Sequence, residues 1–361
     1  MAVPEAKYQK VINWITGEIV AGRLQPGDRL MSEEKMCKKF DLCRQTIRHA
    51  TQELAERGVV TRVQGSGTYV GGVIPKIRKE RYMNVAVVST FYESYIFPPT
   101  LRGIEKKLSE SGYTMQVSFT DNRISNETVI LKTLLEKDNI DGLIVEPSKG
   151  ALPNPNIKYY KEISDRHIPI IFFNDIYPVL QMPCVRLDDW EAAAKAAQLL
   201  IDAGHKKIAG IFKLDDGQGH RRYSGYLDSI IKANLKTHSR RIFWIDTELQ
   251  QELAEQEEYL FKRIEGCTGI VCYNDEVAIQ VIDIALKRGI RVPDDLSVVG
   301  IDNSNLAEIC KVPFTSFSHP KEKLGEKTAD NLLKMIDNPL FDGNYIFSAK
   351  TVLRNSIRKI Q

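Results

Sequence analysis

The sequence predicts an α/β protein in two parts: a small basic head of three helices and a hairpin, then a large body of parallel sheets covered by helices. Three observations carry that expectation. The chain has 361 residues, more than one core usually serves. Its charge is uneven, with 15 Lys/Arg against 9 Asp/Glu in residues 1–81 and 35 against 38 in residues 82–361, within a net charge of +3. From Met83 onward, short apolar runs alternate with segments of helical periodicity, the pattern of strands joined by helical crossovers.

In the head, Tyr8, Val11, Ile12, Ile15 and Ile19 recur at helical spacing, and the pattern stops near Gly22, before the Pro26–Gly27 turn. Ser32 is placed to cap a second, short helix with Glu33 and Glu34 in its first turn and Met36 and Phe40 on its apolar face. After an Asp41–Leu42 turn, a third helix runs from about Arg44 to Arg57 and stops at Gly58. On it, Ile47, Ala50 and Leu54 form one stripe, and Arg44, Gln45, Arg48 and Gln52 another. Alone, the second stripe is a solvated face. Behind a short helix and a tight turn, it is the arrangement of a helix-turn-helix, which offers the start of its second helix to base edges, where arginine bonds guanine bidentately.

The run VQGSGTYV follows, with two glycines one residue apart. A phosphate-binding loop would need a helix after it and a Lys-Ser or Lys-Thr pair. Neither is present, and the β-prone residues on both sides, Val59–Val63 and Thr68–Val70, predict a hairpin. The hairpin is then the wing of a winged helix-turn-helix, with Gln64 at its tip a candidate for a minor groove.

From Arg23 to Val70, the order RLQPGDRLMSEEKMCKKFDLCRQTIRHATQELAERGVVTRVQGSGTYV resembles the DNA-binding head of the GntR family. The resemblance implies double-stranded operator DNA as partner, with contacts from Arg44, Thr46 and Arg48 on the third helix and Gln64, Gly65 and Gly67 on the wing. Glu33 and Lys7 are further candidates. Two positions depart from that pattern: Met31 stands where a proline is common, and Cys43 replaces the serine that usually caps the third helix and touches a phosphate.

The body reads as strands NVAVVST, MQVSF, DGLIVE, IPIIFFN, KIAGIF, IFWID, GIVCYN, LSVVGID and AKTVLR, with helical stretches that include Ala192–Ala203, Glu252–Ile264 and Val277–Arg288. In open parallel sheets a ligand sits beyond the carboxyl ends of the strands. Those ends carry Tyr92 and Tyr95, Glu146, Asn174–Asp175, Lys213, Asn274–Asp275 and Asp302–Asn303. Any one Asn or Asp pair there is equally a helix cap. Their recurrence predicts a pocket of carboxylates, amides and rings suited to a polyhydroxylated ligand.

The motifs IDGLIVEP, LLIDAGHKKIAGIF, RRYSGY, CYNDEVA and VPDDLSVVGIDN resemble, in order and spacing, the sensor of the LacI/GalR family, which shares the two-lobed fold of periplasmic sugar-binding proteins. That resemblance implies effector contacts from Glu146, Arg222, Asn274 and Asp302, with Tyr95 and His319 as looser matches. Asn174 joins them as a strand-end residue. A GntR-type head on such a body resembles the bacterial arabinose-responsive repressors as a group, which implies L-arabinose or a related small sugar as effector, release from the operator when sugar binds, and a homodimer. Another pentose or hexose stays open on the residues alone.

The expected division is a DNA-binding domain at 1–70, a linker at 71–82 and an effector-binding and dimerisation domain at 83–361. The six cysteines lack C-x-x-C pairs and read as reduced. No catalytic residue, metal site or cofactor is expected: the chain has no H-E-x-x-H, no G-x-S-x-G, no P-loop, and its six histidines are scattered. Apolar runs such as Ile168–Asn174 are too short to span a membrane. MAVPEAKYQK lacks the apolar core of an export signal, so a cytoplasmic location is expected. An enzyme, a transport binding protein and an architectural DNA-binding protein are the competing classes. Turnover of a pentose would favour the first, and failure to shift operator DNA the second. The third has no need of a large ligand-binding body.

Overall fold

The computed structural model describes residues 7–71 and 81–360. The expected linker at 71–82 falls largely on residues 72–80, outside the described residues. The head comprises α1 (Lys7–Val20), α2 (Glu33–Phe40), α3 (Arg44–Glu56) and the antiparallel hairpin β1 (Val60–Val63) and β2 (Gly67–Val70). Val11, Ile12, Ile15 and Ile19 of α1 meet Met36, Ile47, Ala50, Leu54, Val60 and Val70 in one core, so the apolar spacing legible in the sequence is the packing itself. The Ser32 hydroxyl caps α2 by accepting from the Lys35 amide at 3.4 Å. Gly67 holds φ 138°, a conformation that favours glycine, and a Cβ there would also have to displace the Arg29 guanidinium, 2.8 Å away at Nε.

The body begins with β3 (Asn84–Ser89), α4 (Phe97–Glu110), β4 (Thr114–Phe119), α5 (Ile124–Lys137), β5 (Gly142–Val145), α6 (Ile157–Asp165), β6 (Ile170–Phe173) and β7 (Cys184–Leu187). The chain then enters a second lobe: α7 (Asp189–Asp202), β8 (Ile208–Lys213), α8 (Gly217–Lys232), β9 (Ile242–Ile245), α9 (Thr247–Gln251), α10 (Glu257–Arg263), β10 (Gly269–Cys272), α11 (Asp275–Lys287), β11 (Ser297–Val299), α12 (Leu306–Ile309) and β12 (Ser316–Ser318). It returns through α13 (Lys321–Asp337) and β13 (Tyr345–Phe347) to the first lobe, and crosses once more to β14 (Lys350–Val352).

The first lobe is a six-stranded sheet in the order β13-β7-β6-β5-β3-β4, and the second a four-stranded sheet in the order β11-β10-β8-β9, both parallel throughout. Three crossings join the lobes, at 187–189, 318–321 and 347–350. They are tied together: the Asp188 amide donates to the Phe347 carbonyl at 2.8 Å, and Ser318 pairs with Lys350. In the first lobe α4 and α13 cross backbone to backbone. A Cβ on Gly103 would fall 2.1 Å from the Glu322 carbonyl oxygen, and one on Gly325 would fall 2.0 Å from that of Thr100.

Two expectations need correction. AKTVLR supplies β14, which pairs antiparallel with β12 in a two-stranded ribbon instead of joining a parallel sheet. The helix expected over Glu252–Ile264 is broken by a 3-10 turn at Leu253–Gln256. Leu253, Leu260 and Phe261 pack into the second lobe's core, but Ala254, Glu255 and Gln256 are exposed and bury nothing, and the regular helix starts only at Glu257.

Candidate nucleic-acid interface and ligand cleft

On the head, α3 presents Arg44 and Arg48 to solvent, and Glu33 of α2 holds both. Arg44 Nε donates to Glu33 at 2.6 Å, and Arg48 Nε donates to each Glu33 oxygen at 3.0 Å. Partial burial opposes the Glu33 charge, but these bonds outweigh it and hold the carboxyl below its usual range. The carboxylate thus sets the two guanidiniums side by side. Thr46 is half-buried at the start of the same helix. Cys43 occupies the cap position of α3 and makes no cap bond to the backbone, and its Sγ lies 3.1 Å from Thr46 Oγ1.

The hairpin stands beside this face. Arg62 fastens it there, donating to the Arg48 carbonyl at 2.8 Å and the Thr51 hydroxyl at 2.5 Å. Gln64 and Gly65 are exposed at the tip, Gly65 with φ 77°, and Lys7 is exposed at the start of α1. Arg62 thus adds a cation beside the arginine pair, and Arg29 adds one against Gly67 of the wing. No motif singled them out, because each is a lone arginine whose place depends on the hairpin's fold.

Between the lobes lies a cleft of about 970 Å³. Thr90, Phe91, Tyr92, Asn122, Glu146 and Asn174 line it from the first lobe, and Lys213, Asp216, Thr247, Tyr273, Asn274 and Glu276 from the second. The lobes touch around its rim: Asn122 Nδ2 donates to Thr247 Oγ1 at 2.5 Å, Lys149 Nζ meets Glu248 at 2.9 Å, and Ser94 Oγ donates to Glu276 at 3.4 Å. Thr90, Asn122, Asp216, Thr247 and Glu276 were not among the sequence-derived candidates, although Thr90 ends the run NVAVVST and Glu276 stands in the motif CYNDEVA.

Of the seven sequence-derived effector candidates, Glu146, Asn174 and Asn274 line the cleft. Asn274 is also the cap of α11, its side chain accepting from the Val277 amide at 3.0 Å, so both readings of that residue hold together. Glu146 is buried, accepts from the Thr90 hydroxyl and from Asn174 Nδ2 at 2.8 Å, and burial lifts its carboxyl to about 7. Asn174 stands at φ 61°, and its Oδ1 has no hydrogen-bond partner among the described residues. A buried acceptor on a cleft wall is costly until a donor arrives, and a ligand hydroxyl is such a donor.

Tyr95, Arg222, Asp302 and His319 lie behind the wall, near the crossings. Arg222 is the hub: its Nε donates to Asp189 at 2.9 Å, Nη1 to the Tyr273 carbonyl at 2.5 Å and Nη2 to Asp302 at 3.2 Å. Tyr95 of the first lobe donates to the other Asp302 oxygen at 2.6 Å. His319 is buried with neither ring nitrogen hydrogen-bonded to a described residue, and burial, with Lys321 and Arg222 nearby, pushes its pKa down to about 3. None of the four lines the cleft: Arg222 meets its wall through Tyr273, and the Tyr95–Asp302 bond joins the two lobes.

A basic recognition face joined to a polar, ring-lined cleft between two parallel-sheet lobes defines the class: a DNA-binding regulator with a small-molecule sensor. Residues 7–70 match the bacterial regulatory proteins of the gntR family, and residues 197–357 match the periplasmic binding protein-like domain. The chain is 33% identical to the arabinose metabolism transcriptional repressor of Geobacillus stearothermophilus, over 98% of this chain and 96% of the relative. It is 35% identical to the protein of the same name from Halalkalibacterium halodurans, with the same coverage. Among solved structures, the transcription regulator CcpA of Lactococcus lactis superposes with a TM-score of 0.69 at 24% identity, over 76% of this chain and 99% of that one. The chain therefore belongs to the family of the arabinose metabolism transcriptional repressors, sugar-responsive repressors with a gntR-type head and a periplasmic-binding-protein-like body. Among the described residues, no helix is long and apolar enough to cross a membrane.

Proposed function

We propose that this repressor binds a palindromic operator of arabinose-utilisation genes as a homodimer in the cytoplasm and leaves it when L-arabinose closes the cleft. It performs no catalysis and takes no cofactor besides that effector. In this reading residues 1–70 bind DNA, 71–82 link, and 83–361 bind sugar and dimerise. The observation that carries it is the likeness to the two arabinose repressors along 98% of the chain, head and body alike. The cleft suits the ligand: Asn174 Oδ1 and the Glu146 carboxylate accept from hydroxyls, Lys213 donates, and the Phe91, Tyr92 and Tyr273 rings cover C–H faces. Arg44, Thr46, Arg48, Gln64, Gly65 and Gly67 contact the operator, with Lys7 beside them and Glu33 orienting the arginines.

The test is linkage. Sugar must weaken operator binding and operator must weaken sugar binding by the same factor, typically about 1–3 kcal/mol. Equal sugar affinities with and without operator DNA would sink this mechanism. A thermal-shift series over pentoses and hexoses decides the effector, because only the specific ligand raises the melting temperature at low concentration.

Glu146 adds a pH dependence. Its folded pKa is raised to about 7, so its contribution to stability is greatest at pH values below the ordinary carboxylate range and is lost as pH rises toward 7. Hydroxyls that donate to the ionised carboxylate lower that pKa again, so sugar binding releases a proton and tightens as pH rises from about 6 to 8. Calorimetry in buffers of different ionisation enthalpy measures the proton, and zero release in every buffer would exclude Glu146 from the contact.

A further inference from the structure

The head packs against the body at the far end of α13. α13 starts beside the crossings, where Lys321 Nζ donates to the Asp302 carbonyl at 2.6 Å. It extends 17 residues, about 25 Å at the rise of an α-helix, and ends at the head. There Leu340 leaves the sheet's own cores and joins the head's apolar cluster with Val11, Ile12, Ile15 and Leu54, at 8% exposure. Polar contacts flank it: Asn338 Nδ2 donates to Thr16 Oγ1 at 3.0 Å, and the Arg57 guanidinium donates to the Leu340 carbonyl. Asp342 lies close enough to Tyr8 and Glu53 to add to the upward push on both their pKa values, behind the larger effect of burial.

The turn also has hydrogen bonds of its own within the body. The Leu340 amide donates to Asn338 Oδ1 at 3.0 Å, the Phe341 amide to the Asn338 carbonyl at 2.9 Å, and Asn331 Nδ2 to the Gly343 carbonyl at 2.7 Å. A turn ordered beforehand loses little freedom when a partner covers it. Behind it, the contacts at Gly103 and Gly325 press α13 against α4 without intervening side chains. Helix and turn are thus packed closely onto the first lobe.

We propose that the Asn338–Asp342 turn is the docking surface for the head, and that through α13 it converts rotation of the first lobe into a change in head position. The coupling rests on the repressor reading above; the docking does not. The test compares full-length wild type with Leu340→Ala and, separately, Asn338→Ala. Docking is read by hydrogen exchange: the amides of α1 are expected to exchange about ten-fold faster in the variants, with those of β5 and β6 unchanged. Unchanged α1 protection in both variants overturns it. Coupling is read by operator titration with and without L-arabinose. The factor by which sugar weakens DNA binding is expected to shrink about five-fold, with sugar affinity held within about two-fold of wild type. An unaltered factor in both variants overturns the coupling. A wild-type protein indifferent to L-arabinose would overturn the effector reading and the coupling together, while docking still stands or falls on the exchange.

Discussion

Replacing Arg222 with alanine is expected to destabilise the sensor by roughly 3–5 kcal/mol, because it leaves two carboxylates buried without their cation. The Asp189 and Asp302 side chains are 0% and 1% exposed, and Arg222 itself 1%. Arg221 gives partial relief, reaching Asp189 at 3.3 Å, while the Asp302 carboxylate keeps, among the described residues, the Tyr95 hydroxyl as a bonded partner and the Lys321 charge nearby. Burial opposes the Arg222 charge, yet Asp302 and Asp189 outweigh it and hold its pKa above the ordinary arginine value. Arg222→Lys keeps the charge but not the fork that reaches three partners at once, so it is expected to recover part of the loss. Urea denaturation of the three proteins measures this. A loss under about 1 kcal/mol for Arg222→Ala would show that the network contributes no more than a surface pair.

Arg48→Ala is expected to weaken operator binding by about 1–3 kcal/mol if the guanidinium reads a base, and that loss persists when salt is raised. A phosphate contact instead lowers the salt slope by about one. Fluorescence titration at several salt concentrations separates the two, and an unchanged affinity removes Arg48 from the interface. Glu33 complicates the comparison, since it already holds Arg48 and Arg44 without DNA. Glu33→Gln would keep the geometry and release much of the electrostatic hold, so its salt slope reports how strongly phosphate must compete for the arginines.

The head was legible almost residue by residue, because its helices are amphipathic, and Ser32, Asp41 and Gly58 mark helix ends. The body's core strands were legible for the related reason that buried parallel strands read as apolar runs. What escaped was set by partners. β7, β12 and β13 have three or four residues each, as do β5, β6 and β11, which read plainly, and they are strands through their pairing, β13 with Ile346 opposite Arg186. β14 has a strand's composition, but its direction is fixed by β12. Arg222 shows the same limit at the site. RRYSGY locates it at the start of α8 near the cleft, while its depth depends on Asp189 and Asp302, 33 and 80 residues away. The cleft's donors and acceptors were half legible, since strand ends name the first polar residue and the facing loops supply the rest.

The three crossings have a mechanical consequence. A single connection would let one lobe swivel freely against the other. Three that are hydrogen-bonded to one another, through Asp188–Phe347 and Ser318–Lys350, resist twist and shear and leave bending about one axis as the soft direction. Ligand binding then has one coordinate to act on, and its free energy is not dissipated over many postures. A message carried along one coordinate arrives at the far end as a definite displacement, which a rigid lever such as α13 can hand on with little loss of precision.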